Sequence, residues 1–117
     1  MWLVTKIGFF NIIQYPEDIE KNLLTVKARS RKDLENFLVK LNSFSLKTGF
    51  IEESEQADYR FRIKIPKSLV METIAILVEE IDYRLTKPAI SEDFPDRSGI
   101  YFNVWDTLYQ IQCQEDT

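Results

Sequence analysis

Histidine is absent from this chain of 117 residues. That removes Ser-His-Asp and Cys-His catalysis, a histidine general base and any histidine metal ligand. One cysteine, Cys113, allows no intramolecular disulfide and no cysteine metal cluster. It sits in a polar tail without the basic neighbour that activates a thiolate. Three glycines, at positions 8, 49 and 99, cannot build a P-loop or a dinucleotide fingerprint. No apolar run approaches the roughly 20 residues of a membrane span. The opening Met1-Trp2-Leu3-Val4 lacks the basic leader and small-residue cleavage site of a signal peptide. The expected location is cytoplasmic, with no membrane partner and no cofactor.

What is present is enough for a core. Hydrophobic residues make up 44% and charged residues 29%, the proportions of a globular chain. Eight Phe and two Trp supply bulk, and a chain of this length buries roughly 65% of its unfolded surface. Residues 1–117 are expected to form a single α+β domain. Net charge is −4, so the long-range field mildly repels nucleic acid and anionic membrane, and local placement of charge decides more than the sum.

The most informative stretch runs from Asp58 to Pro66. Tyr59, Phe61, Ile63 and Ile65 alternate with Arg60, Arg62 and Lys64, the period of a half-buried strand. Pro66 ends it, and Val70, Ile74, Leu77, Val78 and Ile81 then recur at helical spacing, with Ser68 placed to cap. Upstream, residues 2–14 read as one long strand, apolar in both phases, with Gly8 marking a bend. Leu3, Ile7, Phe9 and Ile13 form one phase, and Trp2, Val4, Phe10 and Ile12 the other. A polar loop over 15–22 leads to a strand over 23–29, with Leu24, Val26 and Ala28 inward and Thr25, Lys27 and Arg29 outward.

Ser30 followed by Asp33 suggests a capping box before a helix bearing Leu34, Phe37, Leu38 and Leu41. Residues 50–53 read as a short edge strand or, equally, an ordered loop, 88–99 as a loop, and 99–112 as a helix with Tyr101, Val104, Trp105, Leu108 and Ile111 on one face. Continuing the second helix to about Leu85 pairs Arg84 with Glu80. Together these elements predict a two-layer α+β sandwich: a mostly antiparallel, three- to four-stranded sheet with helices on one face, ferredoxin-like or a rearranged relative.

Four stretches resemble a group of small uncharacterised bacterial proteins: Met1 to Phe10, Leu24 to Arg29, Asp58 to Arg62, and Tyr101 through Val104-Trp105 to Tyr109. In that group Asp82-Tyr83 is followed by Asn-Phe-Lys, and here Arg84-Leu85-Thr86-Lys87 departs from it. The resemblance implies a single soluble bacterial domain and assigns it no activity.

Carboxylates crowd three places, at 79–82, 52–58 and 92–96, none with EF-hand spacing, so solvated surface charge is the expected reading. The candidate binding residues are Lys27, Arg29, Arg60, Arg62 and Lys64, which share one face if the two strands share a sheet. The alternation places Tyr59 and Phe61 on the opposite face, away from these cations, so the stacking residues of a sheet-face RNA binder are missing. Two functions follow. The first is a non-enzymatic protein–protein interaction domain, including a homodimer through a sheet face that is apolar and ringed by Arg and Lys. The alternative is nucleic-acid or anion binding through the five cations. The negative net charge and the missing stacking residues weigh against nucleic acid.

Overall fold

The computed structural model describes residues 1–41, 50–81, 92 and 94–115. The chain divides into two compact units, Met1–Ile81 and Asp82–Thr117. In the first, β1 (Trp2–Thr5), β2 (Gly8–Ile13), β3 (Leu23–Ala28), α1 (Arg31–Lys40), β4 (Glu52–Glu53), β5 (Phe61–Pro66) and α2 (Lys67–Glu79) follow in order. The strands form one antiparallel sheet of order β1-β2-β3-β5-β4. This is the expected α+β architecture, with five strands rather than three or four.

Both helices cover the same sheet face. Phe10, Ile12, Val26, Ala28, Ile63 and Ile65 meet Leu34, Phe37, Leu41 and Val70 in one buried cluster. The Phe10 and Phe37 rings pack edge to face, 5.2 Å apart. Burial of each such side chain stabilises the fold by about 1.5–3 kcal/mol. On α2 the inward set is Val70, Thr73 and Leu77, with Ile74 partly buried and Val78 and Ile81 exposed. Thr73 takes a core position because its hydroxyl donates to the Leu69 carbonyl at 2.8 Å, which satisfies it locally. Pro66 itself precedes the first helical residue, and Ser68 makes no cap bond.

Residues 2–14 are not one strand. Thr5 pairs with Gly8 across a two-residue turn at Lys6-Ile7, and β1 folds back on β2. Gly8 has φ +149, a conformation that side chains rarely adopt, and a Cβ there would stand 2.5 Å from Asp33 Cγ. Asp33 explains that approach. Instead of closing a capping box with Ser30, its carboxylate accepts the Phe9 amide at 3.1 Å. Asn36 Nδ2 donates to the Ile7 carbonyl at 3.0 Å, so the first turns of α1 hold the hairpin from below.

The far end of the hairpin turn is tied electrostatically. Lys6 and Lys40 both pair with Glu80, at 3.2 and 2.6 Å. Hydrogen bonding from Lys40, then from Lys6, holds the Glu80 carboxyl below its usual range. The expected partner, Arg84, lies outside the described residues.

In the second unit, Pro95–Arg97 forms a short 3-10 turn that leads into α3 (Ser98–Glu115), longer at its C-terminal end than the spacing predicts. Phe102, Trp105 and Tyr109 line up at i, i+3 and i+7, with Trp105 and Tyr109 stacked at 6.1 Å. No residue of α3 is buried.

Gly8→Ala should lower stability by more than about 2 kcal/mol, because backbone strain and a side-chain clash coincide. Gly99→Ala, with nothing within 4 Å of its Cβ position, should leave the melting temperature unchanged or slightly higher. Thermal denaturation of the two variants checks this; a Gly8→Ala protein as stable as the parent contradicts it.

Candidate functional site

Strand register decides which side chains share the face away from the helices. Asn11 pairs with Lys27, Lys27 with Arg62, and Arg62 with Glu52, which puts all four in one row across the sheet. The next row holds Ile13, Thr25 and Lys64. Three of the five candidate cations are therefore neighbours: Lys27, Arg62 and Lys64.

The turn at Lys6-Ile7 also changes which apolar residues join them. Val4 pairs with Phe9 and Leu3 with Phe10, so Trp2, Val4, Phe9 and Ile13 lie outward while Leu3, Phe10 and Ile12 lie inward. A continuous strand would have placed Trp2 and Val4 with Phe10. Tyr59 departs from its expected phase as well. It precedes β5 at a bend, and its ring meets Phe9 at 6.3 Å and the Arg29 guanidinium at 4.3 Å. Trp2 packs edge-on to Phe9 at 6.0 Å. The cationic face thus does carry aromatics, contrary to the sequence alternation. Tyr59, however, is 3% exposed and Arg29 covers its ring, so it offers no open surface for a base.

The remaining two candidates are drawn elsewhere. Arg29 donates to the Asp58 carbonyl at 2.8 Å. Arg60 turns to the sheet edge, where Glu53 and Glu55 take its guanidinium at 2.7 and 3.1 Å. Arg29 lies past the end of β3 and Arg60 before the start of β5, so the pleat does not dictate their direction.

Two further residues of this face come from the loop before β3. Asp18, 3% exposed, forms an ion pair with Lys64, and its hydrogen bond is the main cause that raises the Lys64 pKa. Tyr15 lies over Lys27 and Lys64, whose ammonium groups stand 5.3 and 5.4 Å from its ring centroid. Hydrogen bonding from Lys27, with the charges of Lys27 and Arg62, holds the Tyr15 phenol below its usual range against the opposing effect of burial. The sequence signal for both was slight: a Tyr-Pro pair and an acidic residue in a stretch that reads as a polar loop.

Charge compensation across this face is uneven. Among the described residues, carboxylates reach Arg60 and Lys64, and none is within ion-pair distance of Lys27 or Arg62. Lys27 is only 7% exposed. Arg62 donates one Nη2 bond, to the Tyr59 carbonyl at 3.2 Å, while its Nε is buried without an acceptor. Thr25 Oγ1, on the same face, is also buried without a partner.

Among the described residues, no group of three or more acidic or cysteine side chains is arranged to hold a metal ion, and no helix is long and apolar enough to cross a membrane. Comparison with protein families, curated proteins and solved structures finds no match to this chain.

Tyr15 should ionise below the ordinary phenol range, since cations favour the phenolate. A phenolate absorbance titration should show one early step that Tyr15→Phe removes and Lys27→Met moves toward higher pH. An early step that survives Tyr15→Phe contradicts the assignment.

Proposed function

We propose that this protein is a non-enzymatic interaction module that pairs with a second copy of itself through α3. The observation that carries this reading is the surface of that helix. Ile100, Phe102, Val104, Trp105, Leu108, Tyr109 and Ile111 are all exposed. A helix of this length draws most of its stability from burying an apolar face, and a patch of this kind marks an interaction surface.

Charge supports a second copy as the partner. Stepping about 100° per residue, Tyr101, Val104, Trp105, Leu108 and Ile111 fall along one stripe. Glu115 lies at the C-terminal end of that stripe, and Arg97, in the 3-10 turn that leads into α3, precedes its N-terminal end. Antiparallel pairing brings Arg97 of each copy toward Glu115 of the other. Asp106, the other charged residue between them, falls roughly 160° from Leu108 and keeps clear of its symmetry mate. Such a seam is isologous, as in most homodimers.

Nucleic-acid binding is the weaker reading. Asp18, Glu53 and Glu55 already neutralise Lys64 and Arg60, which leaves no continuous cationic track for a phosphate backbone.

Light scattering over a micromolar concentration series should show the mass rising from one chain to two. Trp105 emission should shift to the blue over the same range. Leu108→Glu should hold the protein monomeric with its first unit folded. A monomer at high micromolar concentration, with unshifted emission, refutes the proposal.

A further inference from the structure

The pair Lys27 and Arg62 poses a physical problem that the dimer does not address. Like charges directly opposite on a sheet repel. Here they are direct partners in the β3–β5 register, with Lys27 almost wholly buried. A buried cation without a counter-ion costs several kcal/mol in general. Among the described residues no carboxylate is within ion-pair distance of Lys27, and the Tyr15 ring lies 5.3 Å from its ammonium.

We propose that the outer sheet face holds a site for one small oxyanion, a phosphate or carboxylate group, bound by Lys27, Arg62 and the Tyr15 hydroxyl. Arg62 supplies a planar fork suited to two oxygens of one group, and its Nε is the donor left without an acceptor. Lys27 supplies a point charge in a site of low dielectric, where an ion pair is strong. Tyr15, on the segment that leaves β2, caps the two cations and donates its phenolic hydrogen to the bound group. Thr25 Oγ1, two residues along β3 from Lys27, adds a hydroxyl without a partner on the same side.

The surroundings set the size of the ligand. Beyond Arg62 the row ends in Glu52, and beyond Thr25 the next row ends in Lys64, which Asp18 already neutralises. Carboxylates thus close the site on two sides. A single oxyanion fits between them, whereas a polyanion is repelled past its first charge.

The test uses the full chain with inorganic phosphate, sodium acetate, and sodium chloride at matched ionic strength. Phosphate or acetate should bind saturably where chloride does not, read by calorimetry. Binding should also return the Tyr15 ionisation toward higher pH, because the anion neutralises the cations that lower it. Response to phosphate alone assigns the site to phosphate, and response to both assigns it to oxyanions at large. Arg62→Gln should weaken binding at least about tenfold, the loss expected for a charged hydrogen-bonding partner. The phenolate signal of the unaltered protein stands as a test even if that variant unfolds. The proposal fails if neither oxyanion exceeds chloride, or if Arg62→Gln binds undiminished. It also fails if a single-stranded oligonucleotide binds more tightly as its length grows.

Discussion

The register between β3 and β5 is the constraint on which the rest of the molecule turns. By pairing Val26 with Ile63 and Leu24 with Ile65, it buries Val26, Ile63 and Ile65 against α1 and α2, with Leu24 partly buried beside them. The same alignment obliges Lys27 to face Arg62 on the other side, since successive residues of a strand alternate between faces. A slip of one residue would relieve the repulsion and would also turn the core outward. The cost of two facing cations is therefore tied to the gain from the core. The surrounding loop answers part of it: Tyr15 covers Lys27, and Asp18 neutralises Lys64.

A second constraint runs through Gly8. The two-residue turn at Lys6-Ile7 brings Phe10 under the helices and Phe9 over the outer face. Asp33 and Asn36, at the start of α1, take the backbone groups of that turn. The Gly8 conformation leaves room for them. One glycine thus couples the hairpin, the first helix and the composition of the outer face.

Strands β3 and β5 were legible in the sequence because each buries one face and exposes the other, and Ile63, Ile65, Val26 and Ala28 lie where the alternation puts them. The first hairpin was not. Its turn residues, Lys6 and Ile7, carry none of the Asn-Gly or Asp-Gly chemistry that marks a tight turn, and Ile7 continues the apolar pattern. The turn puts Trp2 and Val4 on the face opposite Phe10, where unbroken alternation would group them with it. Tyr59 was misplaced for a related reason: alternation predicts direction only while the strand lasts, and the chain bends before Phe61. Of the candidate site, Lys27, Arg62 and Lys64 could be read from periodicity. Tyr15 and Asp18 could not, because their roles arise from a loop folding back across the sheet. Thr73 joins Val70 and Leu77 on the inward face, because a hydroxyl bonded within its own helix packs as an apolar group, and Val78 is exposed.

The central claim is that Lys27 and Arg62 form a cationic pair, with no carboxylate within ion-pair distance among the described residues, held in place by the packing of the opposite face. Its most direct test is the thermal stability of Lys27→Met in a chloride buffer free of oxyanions. Methionine keeps the length and apolar contacts of the lysine stem and removes its charge. If the pair is a liability maintained for binding, the variant should melt several degrees higher than the parent, about 4–8 °C per kcal/mol gained for a unit of this size. A variant that melts several degrees lower would mean that the Lys27 charge is already compensated, and would contradict the account.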